Sequence, residues 1–192
     1  MTQEKKANPA PLGLLGFGMT TVLLNIHNFG ITELSVAILA MGIAFGGAAQ
    51  IIAGIMEFKN NNTFGATAFT SYGLFWWSLV FIWLNPFGNV PADSLSMGFY
   101  LLLWGVFTLF MAIGTLKHNG ATRFVFFSLT VLFFLLAIGD FTENETITKI
   151  AGFEGILCGL SAMYAAFANI LNQEFSKTIL PLFDGKKEAK SP

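Results

Sequence analysis

The residues of this chain that have chemistry to offer are hydroxyls, amides and a few carboxylates set into otherwise apolar runs. Thr21, Asn25 and Asn28 recur at i, i+4 and i+7, and Thr63, Thr67, Thr70 and Ser71 form one broad stripe with Tyr72 beside it. Gln50 and Glu57 stand seven residues apart, and Glu154, Cys158 and Ser161 repeat the i, i+4, i+7 spacing. On a helix each set shares a face. Such faces suit hydrogen bonding to a small polar solute. Taken singly, each residue is more simply a packing group, because Ser and Thr bond their own helix carbonyls and amides tie helices together. Four segments that each carry a polar stripe point instead to a path lined by hydroxyls and amides.

Catalytic signatures are missing. There is no HExxH, GxSxG, GxxxxGK[ST] or dinucleotide fingerprint. The only histidines, His27 and His118, lie near the ends of apolar runs, and the single cysteine, Cys158, lies inside one. Metal ligation, disulfide frameworks and histidine-based catalysis therefore have little material, so neither an enzyme nor a cofactor is expected. The net charge of −1, with its basic residues in loops and tails, excludes the basic face of a nucleic-acid binder.

The elements that position these groups follow from composition. Of the 192 residues, 54% are hydrophobic and only 11% charged, against about a quarter charged in soluble domains. Apolar runs at about 12–25, 35–56, 64–84, 97–116, 124–139 and 147–171 are separated by short Asn-, Gly-, Pro- and Asp-rich clusters. A span takes roughly 20 apolar residues, so the length holds six. The first run is short, but Pro11 suits a helix start and the helix can continue through Ile26 and His27. The expected fold class is an all-α integral membrane protein of six transmembrane helices. Its parts are a terminal segment 1–10, a transport domain 11–172 and a tail 173–192.

Lys and Arg set the orientation. Lys5, Lys6, Lys59, Lys117, Arg123, Lys177, Lys186, Lys187 and Lys190 fall on one side of a six-span alternation, and Lys149 alone on the other. Glu33, Asp93, Asp140, Glu143 and Glu145 fall with Lys149. An odd number of spans scrambles this split. Both termini are therefore expected in the cytoplasm, with the chain multi-pass in the cell membrane. Polar, mixed-charge residues at the start do not resemble a cleaved signal peptide. Small residues at four-residue spacing, Gly42 and Gly46 with Gly47, and Ala151, Gly155 and Gly159, allow close helix approach. They read as assembly rather than chemistry.

Particular stretches carry a resemblance. Residues 8–14, Asn-Pro-Ala-Pro-Leu-Gly-Leu, then Gly-Phe-Gly-Met-Thr-Thr at 16–21, resemble the N-terminal signature of the acetate uptake transporter family. Segments 38–43, 63–73, 103–111 and 126–132 resemble family segments in the same order, so the likeness spans nearly everything before Asn172. The resemblance implies a six-helix protomer, a homohexamer, and passage of acetate or succinate coupled to protons. It implies a pathway constriction at Phe17, Tyr72 and Leu129 and an influence of Ala162 on which carboxylate is accepted. Thr20, Thr21, Asn25, Gln50, Thr67 and Thr70 are candidate substrate contacts.

A bare carboxylate entering a low-dielectric neck faces a nominal cost of tens of kcal/mol, on the order of the idealised Born estimate. The protonated acid avoids most of it. Carboxylate and proton are thus expected to cross together, with Tyr72 donating a hydrogen bond while Phe17 and Leu129 exclude water. Glu57, Glu154 and Asp140 are the titratable groups placed to take part. The alternatives are a passive channel for small neutral solutes such as urea or ammonia, and a membrane sensor or assembly protein whose polar faces only pack helices.

Overall fold

The structure, a computed structural model, describes residues 7–86, 88 and 90–184. Among them six helices are long and apolar enough to cross a membrane: α1 (Ala10–Asn28), α2 (Val36–Lys59), α3 (Thr63–Leu84), α4 (Ser94–Lys117), α5 (Gly120–Thr142) and α6 (Glu145–Glu174). All six expected spans are present. α1, α5 and α6 run two to four residues past their apolar runs at both ends and α2 does so at its C-terminal end, because helix ends carry polar caps that hydropathy reads as loop. Asn62, Asp93, Asn119 and Asn144 each accept a backbone N–H from the first turn of the helix that follows, through the side-chain oxygen. These caps satisfy amide groups that a helix start leaves without partners. The short first run becomes a full 19-residue helix with Pro11 in its first turn.

Two helices depart from regular geometry. Gly42–Ala49, in the middle of α2, is π-helical, and the Trp77 indole N–H on α3 donates to the Ile43 carbonyl there at 2.9 Å. The last turn of α4, Thr115–Lys117, is a 3-10 helix. Small residues let the helices close on one another. A Cβ on Gly18 of α1 lands 2.7 Å from the Gly159 carbonyl oxygen of α6, and one on Gly159 lands 2.7 Å from the Gly18 oxygen. Only hydrogen side chains permit that approach. On the other flank of α1, a Cβ on Gly16 lands 2.5 Å from the Phe45 carbonyl oxygen of α2. The N-terminal helix is thus wedged between α6 and α2, and 56% of its span is buried in the protein against 28% for α4.

Six helices in alternation bring Ala10, Glu57, Asn62, His118, Asn119 and Asn169 to the end of the bundle at which the described residues begin and end. His27, Glu33, Asp140, Glu143, Glu145 and Lys149 gather at the opposite end. Lys59 at the end of α2, Lys117 at the end of α4 and Arg123 in the first turn of α5 belong to the first of these ends and Lys149 to the second, so the sequence-derived charge split has a spatial counterpart among the described residues. Lys5, Lys6, Lys186, Lys187 and Lys190 lie outside them. After α6 the chain folds back. Asn172 Oδ1 accepts from the Ile179 and Leu180 amides and its Nδ2 donates to the Leu180 carbonyl, while Phe183 and Leu182 carbonyls accept from Gly120 and Ala121 at the start of α5.

Candidate functional site

Phe17 lies seven residues into α1, Tyr72 nine into α3 and Leu129 nine into α5. At 1.5 Å per residue all three sit roughly 10–14 Å from the end that carries the termini, so three helices deliver side chains to one level. Each of the three is buried, and the Phe17 and Tyr72 rings lie 6.1 Å apart, tilted by 42°. Below this level, towards the termini, a cavity of about 200 Å³ is lined by Gln50, Glu57, Asn62, His118, Asn119 and Asn169 among others. Above it is a pocket of about 30 Å³, lined by Leu24, Phe75, Leu132, Phe133 and Leu136 with Thr21, Asn25 and Trp76. That is room for roughly one or two waters. Phe17, Tyr72 and Leu129 line both spaces. They form the wall between a polar-rimmed vestibule and an apolar pocket. A wider cavity of about 670 Å³ opens at the far end, where Glu33, Asp140, Glu143 and Glu145 face it with Lys149 and His27.

The vestibule is built from helix ends. Gln50 is fully buried, and neither its amide nitrogen nor its carbonyl oxygen has a hydrogen-bond partner within the protein. Glu57, one turn from the end of α2, is buried as well. Its Oε2 accepts from Asn62 Nδ2 at 2.9 Å, while Asn62 Oδ1 accepts from the Gly65 amide and so caps α3. Among the described residues no cation lies within ion-pair distance of Glu57; the one ion pair there is Lys149 with Glu145, at the opposite end. The His118 ring packs on Phe64 at 4.6 Å, forming the rim.

The other sequence candidates divide between lumen and seams. Thr21 and Asn25 border the upper pocket, but the Asn25 amide lies against Gly155 in the α1–α6 seam, its Nδ2 donating to the Thr21 carbonyl and its Oδ1 accepting from Asn28 Nδ2. Thr20 is wholly buried beside Gly46 between α1 and α2, and Thr70 packs on Gly54 between α2 and α3. Thr67 and Ala162 line none of these three spaces, although Ala162 is fully buried in the core. Glu154 accepts a hydrogen bond from Ser128 Oγ on the α5–α6 seam and lines none of the three. Cys158 Sγ reaches the Val125 carbonyl across the same seam.

One expected role changes. The Tyr72 hydroxyl is engaged within the bundle: it donates to Thr108 Oγ1 on α4 at 3.0 Å, and Thr108 Oγ1 donates to the Trp104 carbonyl at 2.7 Å. What Tyr72 offers at the neck is its ring. Spacing arguments passed over Thr108 because it stands alone in an apolar run. They also passed over Asn62, Asn119 and Asn169, although cap chemistry in the Asn-rich turns was a readable signal for the first two.

Against this geometry the comparisons are specific. The succinate-acetate/proton symporter SatP of Escherichia coli is 58% identical over 184 residues, covering 95% of this chain and 98% of the relative. The solved structure of the bacterial acetate channel SatP superposes with a TM-score of 0.91 at 57% identity, covering 94% of this chain and all of that one. Ammonia transport outward protein 2 of Saccharomyces cerevisiae is 39% identical, covering 90% of this chain and 64% of that protein. The GPR1/FUN34/yaaH family model matches residues 1–184, and this chain belongs to that family.

Proposed function

We propose that this chain carries acetate, and succinate or other small carboxylates, across the cytoplasmic membrane of a prokaryote along the axis of its helix bundle. The observation that carries the proposal is the shared wall of Phe17, Tyr72 and Leu129 between vestibule and upper pocket. A neck of two rings and one aliphatic side chain lends no charge to a passing anion, so the permeant crosses with its proton. Gln50 is the group placed to bind the carboxyl before the neck, since an amide both donates and accepts. Thr21, whose hydroxyl has no partner within the protein, receives it beyond, with Asn25 holding the Thr21 carbonyl. Ala162, Thr20, Thr67 and Thr70 act on preference through the helix seams.

Glu57 is the proton-coupling carboxylate in this reading. It is buried in the vestibule with one oxygen held by Asn62 and, among the described residues, no cation beside it. Glu154, held by Ser128 away from the three spaces, is the weaker candidate. The Lys and Arg split supports an orientation with both termini, segment 1–10 and tail 173–192, in the cytoplasm. A homohexamer is the proposed assembly, and no catalytic step, cofactor, metal or nucleic acid belongs to this reading. The names of the bacterial relatives, a symporter and an acetate channel, support transport of this class.

Labelled acetate entering proteoliposomes, with and without an imposed pH gradient, tests the proposal. Uptake that rises with an inward proton gradient, and loses that response in Glu57→Gln, is expected. Uptake indifferent to the gradient removes the coupling, and absent uptake removes the function. The second reading, a passive channel for a neutral solute such as ammonia, is favoured by the name of the yeast relative and by the uncharged neck. Ammonia flux that acetate fails to inhibit supports it.

A further inference from the structure

We infer that Thr108 is a positioning residue that sets the aperture of the neck by locking the Tyr72 ring in place; this rests on the permeation path proposed above. Tyr72 reaches from α3 towards α4, and its hydroxyl has one partner, Thr108 Oγ1, at 3.0 Å. Thr108 is wholly buried. Its own O–H goes to the Trp104 carbonyl one turn back at 2.7 Å, which leaves an oxygen lone pair for the tyrosine. The direction of the chain is therefore fixed from Tyr72 O–H to Thr108 O–H to Trp104 C=O. Successive bonds of this kind strengthen one another in a low-dielectric setting.

The need for such a lock follows from the surroundings. The Tyr72 ring is wrapped by aromatic neighbours, with ring centroids at 5.5 Å to Phe107, 6.2 Å to Trp104, 6.2 Å to Phe126 and 6.1 Å to Phe17. Contacts between aromatic rings define an orientation only loosely, because tilted and edge-on pairs differ little in energy. A hydrogen bond to a fixed oxygen selects one of them. Thr108 lies nine residues from the end of α4 and Tyr72 nine from the start of α3, so the two meet level with the neck. Farther from the termini, Ser78 and Tyr100 tie the same two helices at 2.6 Å, and that pair stays clear of both the vestibule wall and the neck. One clasp holds the seam, and the other holds the ring that narrows the path.

Threonine is the residue type this demands. Valine has nearly the same shape but cannot accept from Tyr72, whereas serine keeps both halves of the relay. Uptake of acetate and of succinate, measured in parallel on Thr108→Val, Thr108→Ser, Tyr72→Phe and the double variant Tyr72→Phe/Thr108→Val, separates positioning from packing. The expected result is a change of about fivefold in the succinate-to-acetate ratio for Thr108→Val, the factor that one hydrogen bond of ordinary net strength represents. Thr108→Ser restores the wild-type ratio, Tyr72→Phe reproduces the change, and the double variant adds nothing to Tyr72→Phe. An unchanged ratio in Tyr72→Phe overturns the inference even where Thr108→Val fails to accumulate. So does a valine effect that persists undiminished in the Tyr72→Phe background, which marks a packing defect.

A second readout needs no transport. The chain has three tyrosines, so the ring resonances of Tyr72 are assigned by their loss in Tyr72→Phe. A locked ring gives resonances in wild type and Thr108→Ser that shift or broaden in Thr108→Val. Should the wild type carry no acetate, the functional reading fails, and the Tyr72 signal then decides the clasp alone: resonances unmoved by valine refute it.

Discussion

Substituting Gly159 by alanine tests whether helix packing sets the path. The Cβ it adds sits 2.7 Å from the Gly18 carbonyl oxygen, 2.7 Å from Val22 Cγ2 and 2.9 Å from the Val22 amide nitrogen. Two of those three atoms are backbone and cannot rotate away. Ordinary contact begins near 3.4 Å, so α1 must part from α6 by the difference of 0.7 Å. Overpacking of this kind costs about 1–3 kcal/mol. Because Phe17 adjoins Gly18 and α2 backs α1 on its other flank, the displacement carries the Phe17 ring across the neck towards Tyr72, 6.1 Å away. Acetate uptake is expected to fall severalfold in protein that still assembles, with a lower melting midpoint in detergent. Gly98→Ala is the matched control. Its Cβ meets the ring of Phe141, a partly exposed side chain able to swing aside, far from the neck. Wild-type uptake and melting in Gly159→Ala refute the reasoning, and equal losses in Gly98→Ala reduce it to a general packing effect.

Replacing Gln50 with leucine should separate stability from function: an unpartnered buried amide costs about 1–3 kcal/mol, so the variant melts no lower than wild type, yet uptake drops about tenfold. A variant that loses both together marks Gln50 as a structural group instead. Asp93, outside the spans, is held below the usual carboxylate range by bonds from the Ser96 hydroxyl and amide. A depressed carboxylate contributes stability that is complete above its unfolded value near pH 4 (about 3.9) and is lost as pH falls through the lower folded value. The wild-type melting midpoint should therefore decline relative to Asp93→Asn as pH is taken from about 6 to about 3, since asparagine keeps the cap without the charge. Parallel curves contradict it. Asn172→Ala removes all three side-chain bonds that hold residues 179 and 180. Limited proteolysis between residues 176 and 184 should accelerate at least fivefold, at about 1 kcal/mol per bond; an unaltered rate means the docked segment holds without it.

Hydropathy made the six spans legible because bilayer length and backbone satisfaction leave a chain this apolar few options. The ends were less legible. Asn62, Asn119 and Asn144 look like loop residues by polarity but act as the caps that start α3, α5 and α6. The π-helical stretch in α2, where the Ile43 carbonyl accepts from an indole on α3, left no signature in the sequence beyond its glycine content. Tyr72 was singled out by its place beside a hydroxyl stripe and by family resemblance. The direction of its hydroxyl was not legible, since that is fixed by a threonine 36 residues away.

Helical spacing assigns a residue to a face, but a six-helix bundle offers two kinds of interior face, the lumen and the seams between neighbouring helices. Thr21 borders the upper pocket, whereas Thr20, one residue away, turns to the α1–α2 seam beside Gly46, and Asn25, one turn on, lays its amide against Gly155 in the α1–α6 seam. Gln50 opens on the vestibule, while Glu154, equally polar and also within a span, is taken up by Ser128 on the α5–α6 seam. The distinction depends on which neighbour approaches most closely, and glycine decides that. Where Gly18 and Gly159 bring two backbones together, the next residue along α1 is Phe17, delivered to the neck with little slack. Close packing and the wall of Phe17, Tyr72 and Leu129 therefore belong to one arrangement in this chain: Gly159, which reads as assembly alone in the sequence, also fixes how near α1 stands to α6.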